Sequence, residues 1–110
     1  MRKNFEVIKG DTLAFGVELE FTENPQDLEQ AYFTVKTNYD DLAIFQKSLG
    51  NGIEKAGRNG NKIYYRVRVD PNDTAKLQEG IYFYDLEIRA NSDVFTILKG
   101  LLIIENDISN

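Results

Sequence analysis

Apolar and polar residues alternate along four stretches of this chain, with the period of a β-strand, whose side chains point to opposite faces in turn. In residues 12–21, Leu13, Phe15, Val17, Leu19 and Phe21 share one face, while Thr12, Ala14, Gly16, Glu18 and Glu20 share the other. The same pattern sets Ala31, Phe33 and Val35 against Tyr32, Thr34 and Lys36, and Ile63, Tyr65, Val67 and Val69 against Tyr64, Arg66 and Arg68. In residues 81–90 it sets Tyr82, Tyr84, Leu86 and Ile88 against Ile81, Phe83, Asp85, Glu87 and Arg89. A helical period would scatter each of these sets. Shorter runs at residues 4–9 and 42–49, with a C-terminal run from Val94, bring the expected strands to about seven.

Turn-forming residues punctuate the runs: Gly10-Asp11, Asn24-Pro25, residues 38–41, Gly50-Asn51-Gly52, Asn59-Gly60-Asn61, Asp70-Pro71-Asn72 and Asn91-Ser92-Asp93. Residues 25–30 and 71–77 are expected to form short helical turns, the second with Pro71 in its first position after an Asp70 cap. The glycine- and asparagine-rich residues 50–62 read as a mobile hairpin or loop. Short strands with regular turns and no long helical period predict an all-β fold. The expected architecture is one domain over residues 1–110, an immunoglobulin-like antiparallel β-sandwich.

That architecture gives a role to the stretch LQEGIYFYD. In such sandwiches a tyrosine near the start of a late strand returns its hydroxyl to backbone a few residues upstream and pins a crossover between sheets. Here Leu77 would plug the end of the core, Gly80 would allow the tight approach and Tyr82 would supply the hydroxyl. The alternation then fails at Leu101-Leu102-Ile103-Ile104, apolar on both faces. Gly100 just before it predicts a bulge. A bulge exchanges faces once, so it leaves alternate members of this run pointing away from the core. The run therefore predicts an association surface at an exposed apolar edge. Phe83, Leu98, Leu101 and Ile103 are its candidate residues.

Composition narrows the chemistry. The 110 residues include neither cysteine nor histidine, which removes Ser-His-Asp and Cys-His triads, disulfides, and zinc or copper sites with nitrogen or sulfur ligands. Carboxylate, lysine or tyrosine chemistry survives. With 42% apolar residues the chain is ordinary for a folded domain, and no run approaches the length of a membrane-spanning helix. The start, MRKNFEVIKG, lacks the apolar core of a secretory signal, so cytoplasmic synthesis is expected.

A net charge of -5 opposes general nucleic-acid binding. The charge is uneven, however. Residues 43–69 hold Lys47, Lys55, Arg58, Lys62, Arg66 and Arg68 against Glu54 alone, while the rest of the chain holds 7 basic and 17 acidic residues. A basic segment in an acidic domain is either a solvated face or half of a complementary contact between subunits, which makes Arg66 and Arg68 candidate interface residues.

Other clusters read more simply as structure. Asp70, Asn72 and Asp73 have calcium-like spacing but lack a full ligand set, and they fit a turn with local caps, as do Tyr39, Asp40 and Asp41. Glu18 and Glu20 could pair as glycosidase carboxylates but fit a solvated strand face. Tyr32, Tyr64, Phe83, Arg66 and Arg68 could line a single-strand nucleic-acid platform, which the acidic total opposes. No metal, cofactor or catalytic residue is expected.

The second half of the chain resembles a pattern found in tailed-phage and prophage structural proteins. Pro71, Asp73 and Thr74 form a Pro-x-Asp-Thr turn, and Leu77, Gly80, Tyr82, Tyr84 and Asp85 form the Leu-x-x-Gly-x-Tyr-x-Tyr-Asp run. A hairpin, the Lys99-Gly100 step and a closing Asp107-Ile108-Ser109 follow. The pattern is similar to the N-terminal domain of phage baseplate upper proteins, over roughly residues 63–109. The resemblance implies a non-catalytic structural component of a baseplate or tail. It would assemble as a homo-oligomer or with other phage structural proteins, without nucleic acid or membrane, and would reside in the virion. The alternative from another class is a carbohydrate-binding β-sandwich module presenting exposed tyrosines, although tryptophan, the strongest platform for a sugar ring, is absent.

Overall fold

The computed structural model describes residues 1–22, 25–38 and 42–106. Asn24, Tyr39, Asp40, Asp41, Asp107, Ile108 and Ser109 lie outside those residues. The fold is all-β. Its described elements are β1 (Phe5–Ile8), β2 (Leu13–Glu20), β3 (Gln30–Lys36), β4 (Ala43–Leu49), β5 (Gly52–Asn59), β6 (Lys62–Val69), α1 (Pro71–Ala75), β7 (Gly80–Ala90) and β8 (Asp93–Glu105).

The ladder runs through all eight strands as one mixed sheet in the order β1-β8-β7-β3-β4-β5-β6-β2. Two of its pairings, β1 with β8 and β4 with β5, are parallel where an antiparallel arrangement was expected. The β4–β5 pairing spans only Ser48↔Gly52 and Leu49↔Ile53, across a corner at Gly50 and Asn51. Gly50 and Gly52 have φ of 85° and 97°, the left-handed region that glycine enters without a Cβ clash. This corner carries the chain from the β1-β8-β7-β3-β4 half of the sheet to the β5-β6-β2 half, and the halves fold over each other.

The alternation read from the sequence explains the core. On β3, β6 and β7 the inward residues Phe33, Val35, Ile63, Tyr65, Val67, Val69, Tyr84, Leu86 and Ile88 are all buried. The two ends of the ladder approach each other across the core, where the Phe5 ring of β1 stacks on Phe15 of β2 at 4.6 Å between centroids. Phe15 also meets Phe33 edge-on at 5.8 Å. The sheet is thus curled nearly to closure. Along β2, however, the inward Leu13, Phe15, Val17 and Leu19 remain only half-buried, because the seam between β2 and β8 is open.

Several local expectations are corrected. Of the two readings of residues 50–62, the hairpin is the one found, and it is a full strand, β5, paired with β6 from Ile53↔Val67 to Asn59↔Lys62. Residues 25–29 form no helical turn. The bulge in β8 falls at Ile97, between the pairs Leu86↔Leu98 and Glu87↔Thr96, while Gly100 pairs regularly with Tyr84. Gly100 answers a different need: a Cβ there would collide with the backbone of Lys3, which crosses β8 at that point. The C-terminal half of β8 is no edge, because β7 flanks it on one side and β1 on the other.

Candidate interaction surfaces

The residues expected at the corner meet as the geometry requires. The Tyr82 hydroxyl donates to the Gln78 carbonyl at 2.8 Å. Leu77 is buried beneath it. Gly80, between them, has φ of 154°. The hydroxyl itself is solvent-exposed, so the bond ties down local backbone and no buried polar group depends on it.

The helical turn α1 is held from three sides. The Asp70 N–H donates to Asp73 Oδ2 at 3.1 Å across the first turn. Thr74, fully buried, accepts from the Gly10 N–H at 3.1 Å and donates to the Asp11 carbonyl at 2.8 Å, joining α1 to the β1–β2 turn. Lys47, on an inward position of β4, brings its ammonium to 2.5 Å from Asp73 Oδ2 and 3.6 Å from Asp70 Oδ2. This lysine supplies the positive charge among carboxylates whose spacing resembles a calcium turn. Gly52 makes the arrangement possible, since a Cβ there would strike the Lys47 stem at 2.8 Å. The Arg68 side chain, hydrogen-bonded to Asp70 at 3.0 Å, holds the Asp70 carboxyl below its ordinary value. The Lys47 pairing escaped the sequence reading, because nothing local links position 47 to position 73.

The candidate interface residues fall in three places. Leu98 belongs to the core at 8% exposure and does not lie on the outward face. Phe83, Leu101 and Ile103 lie half-buried on the outward face of β7 and β8, where Phe83 opposes Leu101 and Ile81 opposes Ile103. Ile81, 59% exposed, extends this apolar patch. Arg66 and Arg68 are exposed on the outward face of β6, in the opposite half of the sheet. One continuous interface through all six residues is therefore excluded. The strip imagined through Tyr32, Tyr64, Phe83, Arg66 and Arg68 is divided likewise, since β4 and β5 separate β3 from β6. Glu18 and Glu20 are exposed on β2, and Glu18 sits 3.7 Å from Lys62.

A feature that the alternation did not reveal is a cleft of about 580 Å³ in the open seam. Phe15, Leu19 and Phe21 form one wall, and Ile88, Phe95 and Ile97 the other. The bulge at Ile97 turns both Ile97 and Leu98 toward it. Its lining is apolar, with Lys3, Glu18 and Glu20 at the rim. Among the described residues no group of three acidic side chains is placed to hold a metal ion, and no helix is long and apolar enough to cross a membrane.

Comparison with protein-family models found no match. Comparison with curated proteins likewise found none.

Proposed function

We propose that this chain is a non-catalytic assembly component of a phage or prophage particle, associated with the baseplate or tail and acting through protein contacts. The observation that carries this reading is the outward apolar patch on β7 and β8. Ile81, Leu101 and Ile103 stand together on a sheet face, where polar and charged residues are the rule for a domain that meets only water. The resemblance of residues 63–109 to baseplate upper proteins gives the setting, and the roles of Asp73 and Thr74 in anchoring α1 give a physical reason for the Pro-x-Asp-Thr motif that contributes to it.

Mass spectrometry of purified particles from the strain encoding the chain tests this reading. The wild-type chain is expected in the particles. A folded double variant, Leu101→Lys with Ile103→Lys, is expected to be lost from them. Absence of the wild-type chain from purified particles would refute the proposal.

A further inference from the structure

Gly16 stands in the middle of β2, and nothing among the described residues calls for a glycine. Its φ lies outside the left-handed region, and the β2–β6 register passes through it unbroken from Leu13↔Val69 to Glu20↔Lys62. A Cβ there would meet nothing nearer than the Tyr65 carbonyl oxygen at 3.9 Å. An interior glycine weakens a strand and often marks a bulge, a bend, or the close approach of a ligand or another backbone. Gly100 shows this device within the chain, where the Lys3 backbone crosses it. At Gly16 no described segment does so, and the space above it stays open.

The place suits such an approach. β2 closes one end of the ladder, with β6 as its neighbour and its other edge unpaired among the described residues. It is eight residues long and has no proline or bulge to discourage pairing. We infer that β2 pairs antiparallel with β2 of a second copy of this chain, about a two-fold axis at Val17. This rests on the reading of the chain as an assembly component and names one of its contacts.

Charge selects the occupant and the register. With Val17 opposite Val17, Glu18 of each copy faces Gly16 of the other, and Glu20 faces Ala14. On β6, the neighbour of Gly16 is Arg66 and the neighbour of Ala14 is Arg68. Each glutamate therefore points across a small residue toward an arginine two strand spacings away, about 9.6 Å between backbones, which the two long side chains span. Arg66 is exposed and has no carboxylate within ion-pair distance among the described residues. The trough above Ala14 and Gly16, lined also by Tyr64 and Arg66, leaves room for the incoming side chains. Shifting the register two residues toward the C-terminus sets Glu18 against Glu18, a repulsive contact. Shifting it the other way takes Glu20 beyond β6 to Thr12. The central register thus sets Glu18 of each copy toward Arg66 of the other, while Arg68, opposite Ala14, already binds Asp70 at 3.0 Å, and it joins the basic segment of one copy to the acidic strand of the other.

Sedimentation velocity of the whole chain from micromolar to about 1 mM tests the inference. A dimer weakened by sodium chloride is expected. Arg66→Glu and Glu18→Arg are each expected to weaken it at least about tenfold, and the double variant, which restores opposite charges across Gly16, to recover it. Both positions are exposed, so monomer stability is expected to change little. A wild type that stays monomeric at the highest concentration overturns the pairing, as does a dimer that ignores both reversals. If such a dimer instead dissociates with Leu101→Lys and Ile103→Lys, the β2 pairing fails while the proposed function stands. Absence from particles fails the proposed function separately.

Discussion

The carbonyl oxygen of Lys3 occupies the space that a Cβ on Gly100 would need. Around this crossing, Lys3 N–H donates to the Lys99 carbonyl at 2.9 Å, Leu101 N–H to Asn4 Oδ1 at 3.0 Å, and the Tyr84 hydroxyl to the Lys3 carbonyl at 2.6 Å. Gly100→Ala must push the N-terminal segment off β8. The expected cost is on the order of 1–3 kcal/mol, measured by urea denaturation, with faster amide exchange at residues 2–5. Unchanged exchange there would refute the account of Gly100.

Lys47 and Asp73 form the most enclosed ion pair among the described residues, with side-chain exposures of 10% and 13%. Removing Asp73 leaves the enclosed Lys47 ammonium with only the longer contact to Asp70 at 3.6 Å. Asp73→Ala is expected to cost about 3–5 kcal/mol. Because salt screens enclosed pairs weakly, added sodium chloride should shift this difference little. Lys55→Ala, which breaks the more exposed contact to Asp27 at 2.8 Å, is expected to cost under about 1 kcal/mol.

At the corner, packing outweighs the hydroxyl. Tyr82→Phe removes a solvent-exposed hydrogen bond and is expected to cost about 0.5–1 kcal/mol. Leu77→Ala empties a site that is 2% exposed and is expected to cost about 2–5 kcal/mol. Denaturation midpoints of the two variants check the order, and a larger loss from Tyr82→Phe would reverse the assignment.

Burial pushes the Tyr84 phenol up to about 12, from an ordinary value of 10.0. The unfolded chain therefore gives up this proton at lower pH than the folded chain. Tyr84 contributes its full stabilisation below pH 10.0 and loses it as pH rises toward about 12. Tyr84→Phe removes this dependence, so the stability gap between wild type and variant should narrow above pH 10.0. A gap that stays constant through that range would contradict the shift.

Period-two alternation is a local property, and it determined from the sequence alone which residues of β2, β3, β6 and β7 face the core, as Phe33, Val67 and Leu86 show. Turn chemistry was equally local: Pro71 after Asp70 placed α1, and Leu77, Gly80 and Tyr82 marked a corner that needs only a four-residue reach. What the tertiary structure alone decided depends on contacts between distant segments. Residues 52–59 carry no strand signal of their own and become β5 because β6 offers a ladder. Gly100 looked like a bulge because the sequence does not show that Lys3 crosses there, 97 positions away. Double-sided apolarity at residues 101–104 suggested an edge, whereas β1 closes that side in parallel and Leu102 and Ile104 enter the core. Lys47 read as one charge in a basic segment, and only folding brings Asp73 to it. Alternation sorts side chains into two faces, but the free energy that selects neighbours for a strand comes from burial and hydrogen bonds shared with segments far along the chain.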